Sequence, residues 1–221
     1  MSSEERPAGQ SMAEARAQLI RELKREIRDE RVLAAFAEVP RERFVPEESV
    51  ALAYEDRALI IGHGQTISQP LMVAIMLQEL GLKGEEKVLD VGTGSGYQAA
   101  LLGRLVKQVV GVELIPELVE RSRRTLTALG YENIGVYQAG DELGRREDAP
   151  YDAIVVAAAA PRVPQSLTEQ LAPGGRLVLP VGTRDSQDLI VVEKRPEGLT
   201  VTRRGPCRFV PLIASEAYPD N

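Results

Sequence analysis

The 221-residue chain contains one cysteine, Cys207, and one histidine, His63. A lone thiol closes no intrachain disulfide, which points to a reducing, cytoplasmic setting. One cysteine and one histidine also fall short of the three or four soft ligands that a transition-metal site takes. No stretch approaches the ~18 uninterrupted apolar residues of a membrane-spanning helix. The polar start, Met1 to Pro7, lacks the apolar segment of a secretory signal. Positive charge is in deficit, with 27 Lys and Arg against 33 Asp and Glu, for a net charge of −6. A surface of that sign repels phosphate backbones and argues against a nucleic-acid partner. The expectation is a cytoplasmic monomer with neither membrane nor nucleic acid as partner. What is present is ordinary globular composition, 43% hydrophobic and 27% charged, in a chain long enough to bury a core unaided.

Residues 1–11 read as a disordered tail. From Met12 to Asp29 apolar residues recur at three- and four-residue steps (Met12, Ala15, Leu19, Leu23, Ile27), which predicts an amphipathic helix. A second helix, Val32 to Val39, stops at Pro40. Residues 40–68 show no long period and read as a connector with short strands or turns. After Pro70 the pattern alternates. Helices are expected at Leu71–Leu80, Tyr97–Val106, Pro116–Leu129 and Gln165–Leu171. Strands are expected at Lys87–Val91, Val109–Glu113, Ile134–Gln138, Asp152–Ala157 and Arg176–Val181. Three further strands are expected over 187–213. This order predicts an α/β fold, a doubly wound and mostly parallel seven-stranded-type sheet, with an N-terminal helical extension and C-terminal antiparallel strands. The extension spans 12–70 and the core 71–221, as one globular unit.

The strand Val88 to Val91 runs into Gly92-Thr93-Gly94-Ser95-Gly96, and a helix follows at once. Glycines there allow a sharp turn and close approach of a ligand to the main chain. The spacing is G-x-G-x-G, shorter than the dinucleotide form. Asp90, just before the loop, would repel a pyrophosphate and suits a positively charged cofactor, which favours S-adenosylmethionine. The alternative is a tight turn without a ligand. Glu113 ends the next strand, seventeen residues after Gly96, where a carboxylate can accept both ribose hydroxyls of a nucleoside. Alone it reads equally as a solvated strand-end charge. Asp141 follows the third strand, where the loop lies over an adenine; alone, Gly140-Asp141 is good turn chemistry. The three features stand at the carboxyl ends of successive strands, the edge where open α/β sheets bind ligands.

Ahead of the first apolar helix lies Gly62-His63-Gly64-Gln65-Thr66-Ile67-Ser68-Gln69-Pro70. Ser68 followed by Pro70 reads as a helix cap, and equally as a residue placed for a substrate. His63 reads as a turn histidine. At these residues the chain resembles the protein-L-isoaspartate O-methyltransferase family. The resemblance rests on Gly64–Pro70, Asp90–Tyr97, Pro150–Ile154, Pro173–Gly182 and Arg208–Leu212, and covers about residues 12–214. The glycine loop is common to many methyltransferases; Thr66–Pro70 is specific to this one.

The resemblance implies methyl transfer from S-adenosylmethionine to the free α-carboxylate of L-isoaspartyl residues in damaged proteins and peptides. The ester then closes to a succinimide, which reopens partly to normal aspartate. It implies Ser68 as the catalytic residue, with Thr66, Ile67, Gln69, Pro70, Val210 and Pro211 at the substrate. It implies Asp90, Gly92, Thr93, Gly94, Gly96, Glu113, Leu114, Asp141 and Glu142 at the cofactor. The Ala158–Pro161 run matches a loop near the substrate. Many relatives carry Asp-Gly where this chain has Asp141-Glu142, and some carry His where it has Leu71. An ionised carboxylate needs no base to attack a methyl sulfonium, so the chemistry is positioning and water exclusion. Arg208–Leu212 reads either as a strand lining the substrate or as a closing strand of the sheet. Two other functions share parts of this pattern: a methyltransferase for a small acid or a dedicated peptide, which would not need Gln65–Pro70, and a non-enzymatic nucleoside-binding module.

Overall fold

The computed structural model describes residues 11–218. Residues 1–10 of the expected tail lie outside that range. Ser11 belongs to ordered structure: it caps α1 (Met12–Leu23) in a capping box, accepting the Glu14 N–H while the Glu14 carboxylate accepts the Ser11 N–H at 2.8 Å.

The helix expected to reach Asp29 ends at Leu23. The side-chain oxygen of Gln78 accepts the Arg28 and Asp29 amides at 2.7 and 3.0 Å, which draws them out of helical pairing. Asp29 then opens α2 (Glu30–Glu38) by accepting the Arg31 N–H at 2.9 Å. Ile27 keeps its place in the apolar stripe and is buried, although it stands in the connection between α1 and α2. The connector resolves into two short 3-10 helices, Arg41–Phe44 and Glu47–Leu52, and a hairpin of β1 (Leu59–Gly62) and β2 (Gln65–Ile67). Its tip, Gly62-His63-Gly64, takes positive φ at all three residues, which two glycines make inexpensive.

The remaining elements are α3 (Pro70–Leu80), β3 (Lys87–Val91), α4 (Tyr97–Leu105), β4 (Gln108–Glu113), α5 (Pro116–Ala128), β5 (Ile134–Gln138), β6 (Tyr151–Val156), α6 (Gln165–Gln170), β7 (Leu171–Gly182), β8 (Gln187–Arg195) and β9 (Gly198–Cys207). One sheet runs β5-β4-β3-β6-β7-β8-β9. Pairings from β5 to β7 are parallel, and β7-β8-β9 form an antiparallel meander. The chain winds outward from β3 to β5, then returns to β6 on the other side of β3. The winding therefore reverses between β3 and β6, and the crevice at their carboxyl ends is where such sheets take ligands.

Alternate strand residues feed two apolar layers. Val88, Val109, Val155 and Val178 meet α1 to α5 on one face; Leu89, Val110, Ile154 and Leu177 meet α6 and the C-terminal segment on the other. The N-terminal helices share the first layer with the sheet, through Leu19, Leu23, Leu33 and Phe36.

Two strand expectations need correction. The strand expected at Arg176–Val181 begins earlier, at Leu171, and Pro173-Gly174-Gly175 lies within it. That triplet forms an irregularity inside a strand that already pairs Leu171 with Tyr151, and a Cβ at Gly175 would lie 2.8 Å from the Asp152 carbonyl. Over 187–213 there are two strands rather than three. After β9 the chain leaves the sheet edge and crosses the loop after β6, where Ala159 N–H donates to Val210 O and Leu212 N–H to Ala159 O, both at 2.8 Å.

Gly96 has φ 89°, and a Cβ there would sit 3.1 Å from Ser122 Cβ on α5. Its role is to let α4 start flush against α5. Gly96→Ala is expected to lower unfolding free energy by about 1–2 kcal/mol, the cost of a left-handed conformation for a residue with a Cβ. Urea titration checks it; unchanged stability would refute the packing role.

Candidate active site

One cavity lies along the carboxyl ends of β3, β4 and β6, walled by the β1–β2 hairpin on one side and by 210–214 on the other. Of the residues singled out from sequence it brings together Thr66, Ile67, Ser68, Gly92, Thr93, Gly94, Glu113, Leu114, Asp141, Glu142, Val210 and Pro211. Four others do not line it: Gln69, Pro70, Asp90 and Gly96.

The glycine loop is held from below. Gly92 N–H donates to Val112 O at 2.9 Å, and Thr93 N–H to the same oxygen at 3.2 Å. Glu113, buried at the end of β4, accepts Gly94 N–H at 2.8 Å with one carboxylate oxygen and Ile115 N–H at 2.9 Å with the other. The expected ribose acceptor thus also ties the loop to its neighbouring strand, and each oxygen keeps a further lone pair. Ile61 covers the loop from above, its Cδ1 3.5 Å from where a Gly94 Cβ would point. Glu142 turns its carboxylate to Arg146 at 2.6 Å. That pairing directs its charge along the loop, so what Glu142 offers the cavity is chiefly its backbone and stem.

Asp90 is fully buried beneath the loop. Gln98, on the first turn of α4, donates to one oxygen at 2.7 Å, while the other oxygen has no partner among the described residues. Burial raises the carboxyl from its usual 3.8 to about 6; the Gln98 hydrogen bond opposes the shift and the charge on Glu113 adds to it. Asp90 therefore acts on the cavity through Gln98, a lining residue that sequence reading passed over because a glutamine in a helix carries no signature.

Ser68 is not the cap of α3, contrary to the capping reading. Gln69 occupies the cap position without a capping side-chain bond. The first-turn amide of Leu71 is taken instead by Asp56, at 2.8 Å, whose other oxygen accepts Gln69 Nε2 at 2.8 Å. Gln69 and Pro70 thus anchor the loop rather than face the cavity. Ser68 lines the cavity, and its hydroxyl makes no hydrogen bond among the described residues. Its carbonyl is gripped by Arg41 Nη2 at 2.8 Å. Neither Asp56 nor Arg41 was legible in sequence, since both sit among charged neighbours in an irregular connector. His63 is exposed at the hairpin tip, outside the lining.

The lining includes three carboxylates (Glu113, Asp141, Glu142) and no Lys, Arg or His. Such a set rejects a pyrophosphate and suits hydroxyls, an exocyclic amine and positive charge. A nucleoside bearing a sulfonium and an ammonium fits these residues, with the Gly92 and Gly94 main chain free of any Cβ at the point of approach. Among the described residues no group of His, Cys, Asp or Glu is placed to hold a metal, and no helix is long and apolar enough to cross a membrane.

The sheet and cavity define a Rossmann-like methyltransferase. Residues 14–217 match the family model for protein-L-isoaspartate(D-aspartate) O-methyltransferase, and the chain belongs to that family. A protein-L-isoaspartate O-methyltransferase 1 of Syntrophobacter fumaroxidans is 51% identical over 189 residues, covering 86% of this chain and 88% of its own. The Aeropyrum pernix protein-L-isoaspartate O-methyltransferase is 50% identical, covering 94% of this chain and 83% of its own. Among solved structures, a protein-L-isoaspartate O-methyltransferase superposes with a TM-score of 0.83 at 29% identity, over 91% of this chain and 67% of its own. A Plasmodium falciparum structure described as the same enzyme in complex with S-adenosyl-L-homocysteine gives 0.77 at 28% identity, over 87% and 95%.

The buried Asp90 makes a pH prediction. With its pKa raised on folding, the folded protein holds this proton more tightly than the unfolded chain between about pH 4 and 6. The residue's contribution is therefore present below pH 4 and lost as the pH rises through about 6. Asp90→Asn is expected to match wild type near pH 4 and to exceed it at pH 7, by up to about 3 kcal/mol. Urea unfolding of both proteins at the two pH values checks it; a difference that does not grow between them contradicts it.

Proposed function

We propose that this cavity seats both partners of the family's reaction, methyl transfer from S-adenosylmethionine to the free α-carboxylate of L-isoaspartyl residues in damaged proteins and peptides. The observation that carries the proposal is the uncommitted Ser68 hydroxyl in the same cavity as Glu113 and Asp141. When bound, S-adenosylmethionine supplies a methyl group on a positively charged sulfur. Glu113 and Asp141 take the nucleoside, the Gly92–Gly94 main chain lies against it, and Thr93 and Leu114 complete that wall. Asp90 steadies the loop from beneath through Gln98.

The other end receives the substrate. Ser68 donates a hydrogen bond to the carboxylate and fixes one oxygen toward the methyl group. The acceptor is ionised at neutral pH, so no residue removes a proton. Ser68 is not a nucleophile, since no base accompanies it in the lining. Thr66 and Ile67 on the hairpin and Val210 and Pro211 opposite frame an extended peptide and keep water out. Holding the two reactants in line accounts for several kcal/mol of rate enhancement, within the ~7–11 available to well-oriented partners. On this reading the extension (12–70) and the core (71–221) act as one unit. The enzyme works as a cytoplasmic monomer without nucleic-acid or membrane partners, which its single cysteine and net charge of −6 support.

Two variants test these roles. Ser68→Ala should leave stability within about 0.5 kcal/mol, since the serine caps nothing. It should lower turnover of an isoaspartyl peptide roughly 10- to 100-fold, the loss of a hydrogen bond to a charged group. Ser68→Asp should fold and be nearly inactive, because it sets a second anion beside the substrate's. Near-normal methyl transfer by Ser68→Asp would place the carboxylate elsewhere. Separately, Glu113→Ala should weaken S-adenosylhomocysteine binding by about 1–3 kcal/mol in calorimetry. Unchanged affinity would remove Glu113 from the nucleoside site.

A further inference from the structure

The reaction brings an anion into a cavity whose lining already carries the carboxylates of Glu113 and Asp141 and no basic side chain. A negative ligand entering such a place needs positive charge from somewhere. Arg41 lies directly behind the substrate wall and is completely buried. Its Nε donates to Ala53 O at 2.8 Å and its Nη2 to Ser68 O at 2.8 Å, while Nη1 has no hydrogen-bond partner among the described residues. Its guanidinium sits 4.8 Å from the ring centre of Tyr97, itself a lining residue. No carboxylate pairs with it within 4 Å among the described residues, so the groups that touch it are neutral. A buried cation without a counterion is costly, and interior positions of this kind are normally paired. Asp56 is the carboxylate whose charge reaches it, and that group is committed to Gln69 and Leu71.

We propose that Arg41 is a positioning and specificity-determining residue: its unpaired buried charge, applied through the Ser68 main chain it grips, makes this end of the cavity select an ionised carboxylate over a neutral group. The proposal rests on the substrate assignment above. Two features of the arrangement follow from it. Placing the cation behind Ser68 rather than in the lining leaves the carboxylate free of a direct ion pair, so the oxygen lone pairs remain available to the methyl group. Bonding Nη2 to the Ser68 carbonyl also fixes the peptide plane from which the hydroxyl projects. An arginine serves both purposes because its fork holds the carbonyls of Ala53, Arg57 and Ser68 at once while the charge persists despite burial.

The test compares an isoaspartyl peptide with the same peptide whose α-carboxylate is capped as the amide. Binding of each is measured by calorimetry with S-adenosylhomocysteine present, whose sulfur is neutral, so the fixed charge of the protein is what discriminates. Wild type should prefer the acid. Arg41→Met should lose about tenfold of that preference, the amide affinity staying within about twofold. Arg41→Lys should retain most of it. Asp56→Asn removes the opposing negative charge and should raise the preference a few-fold, a direction that damage to the loop alone does not produce. Should Arg41→Met fail to fold, Asp56→Asn decides the matter. An acid-to-amide ratio within about twofold of wild type in every variant that folds would overturn the proposal. Failure of wild type to methylate any isoaspartyl peptide would instead overturn the substrate assignment beneath it.

Discussion

The bond from the Gly94 amide to the Glu113 carboxylate, 2.8 Å long, joins the glycine loop to the end of the adjacent strand. Parallel pairing of β3 with β4 sets the two within reach, because Val91 stands beside Val112 and Glu113 follows directly. Once made, the bond fixes the loop's height above the sheet and turns the other lone pairs of Glu113 toward the crevice. The second Glu113 oxygen draws in Ile115 at the start of α5. A single buried carboxylate thus organises the floor of this end of the cavity. The fully buried Asp90 beneath it is held by Gln98, and burial leaves it hard to ionise.

The opposite end is assembled from outside the sheet. The hairpin of β1 and β2 reaches over the loop through Ile61, and Arg121 on α5 donates to the Ile61 carbonyl at 3.0 Å. Asp56 begins α3 from a distance and Arg41 holds the turn before it. The stretch Ser68–Pro70 is therefore bound from both flanks by charged groups of the connector. From the far side, Gln187 accepts Phe209 N–H at 3.0 Å and so aims the 210–214 segment across the cavity. The carboxyl edge of the sheet, which would otherwise be open, becomes a cavity walled on both sides.

Legibility in the sequence followed the range of the forces involved. The parallel core was readable because β3, β4 and β6 are buried on both faces, so each is an apolar run, with Gly92 directly after β3 and Glu113 at the end of β4. The grouping of Gly92, Gly94, Glu113 and Asp141 around one cavity was readable for the same reason: they sit at or just after strand ends. Where one side chain from elsewhere decides local structure, the reading failed. Gln78 ends α1 early, Asp56 takes the amide that a Ser68 cap would have taken, and Gly96 packs against α5 outside the cavity lining. The same holds for Arg41. Set between Pro40 and Glu42 it looks like a solvated surface residue, and only its burial over the Tyr97 ring, which itself packs edge-on with Phe44, reveals a buried cation.

The central claim is that one cavity aligns a nucleoside-borne methyl group with a carboxylate displaced from its normal place by isomerisation. Two peptides of identical sequence, one with an L-isoaspartyl linkage and one with L-aspartyl, test it most directly with S-adenosylmethionine labelled in its methyl group. The account predicts methyl ester on the isoaspartyl peptide and none above background on the other. Equal labelling of both, or labelling of neither by the folded protein, would contradict it.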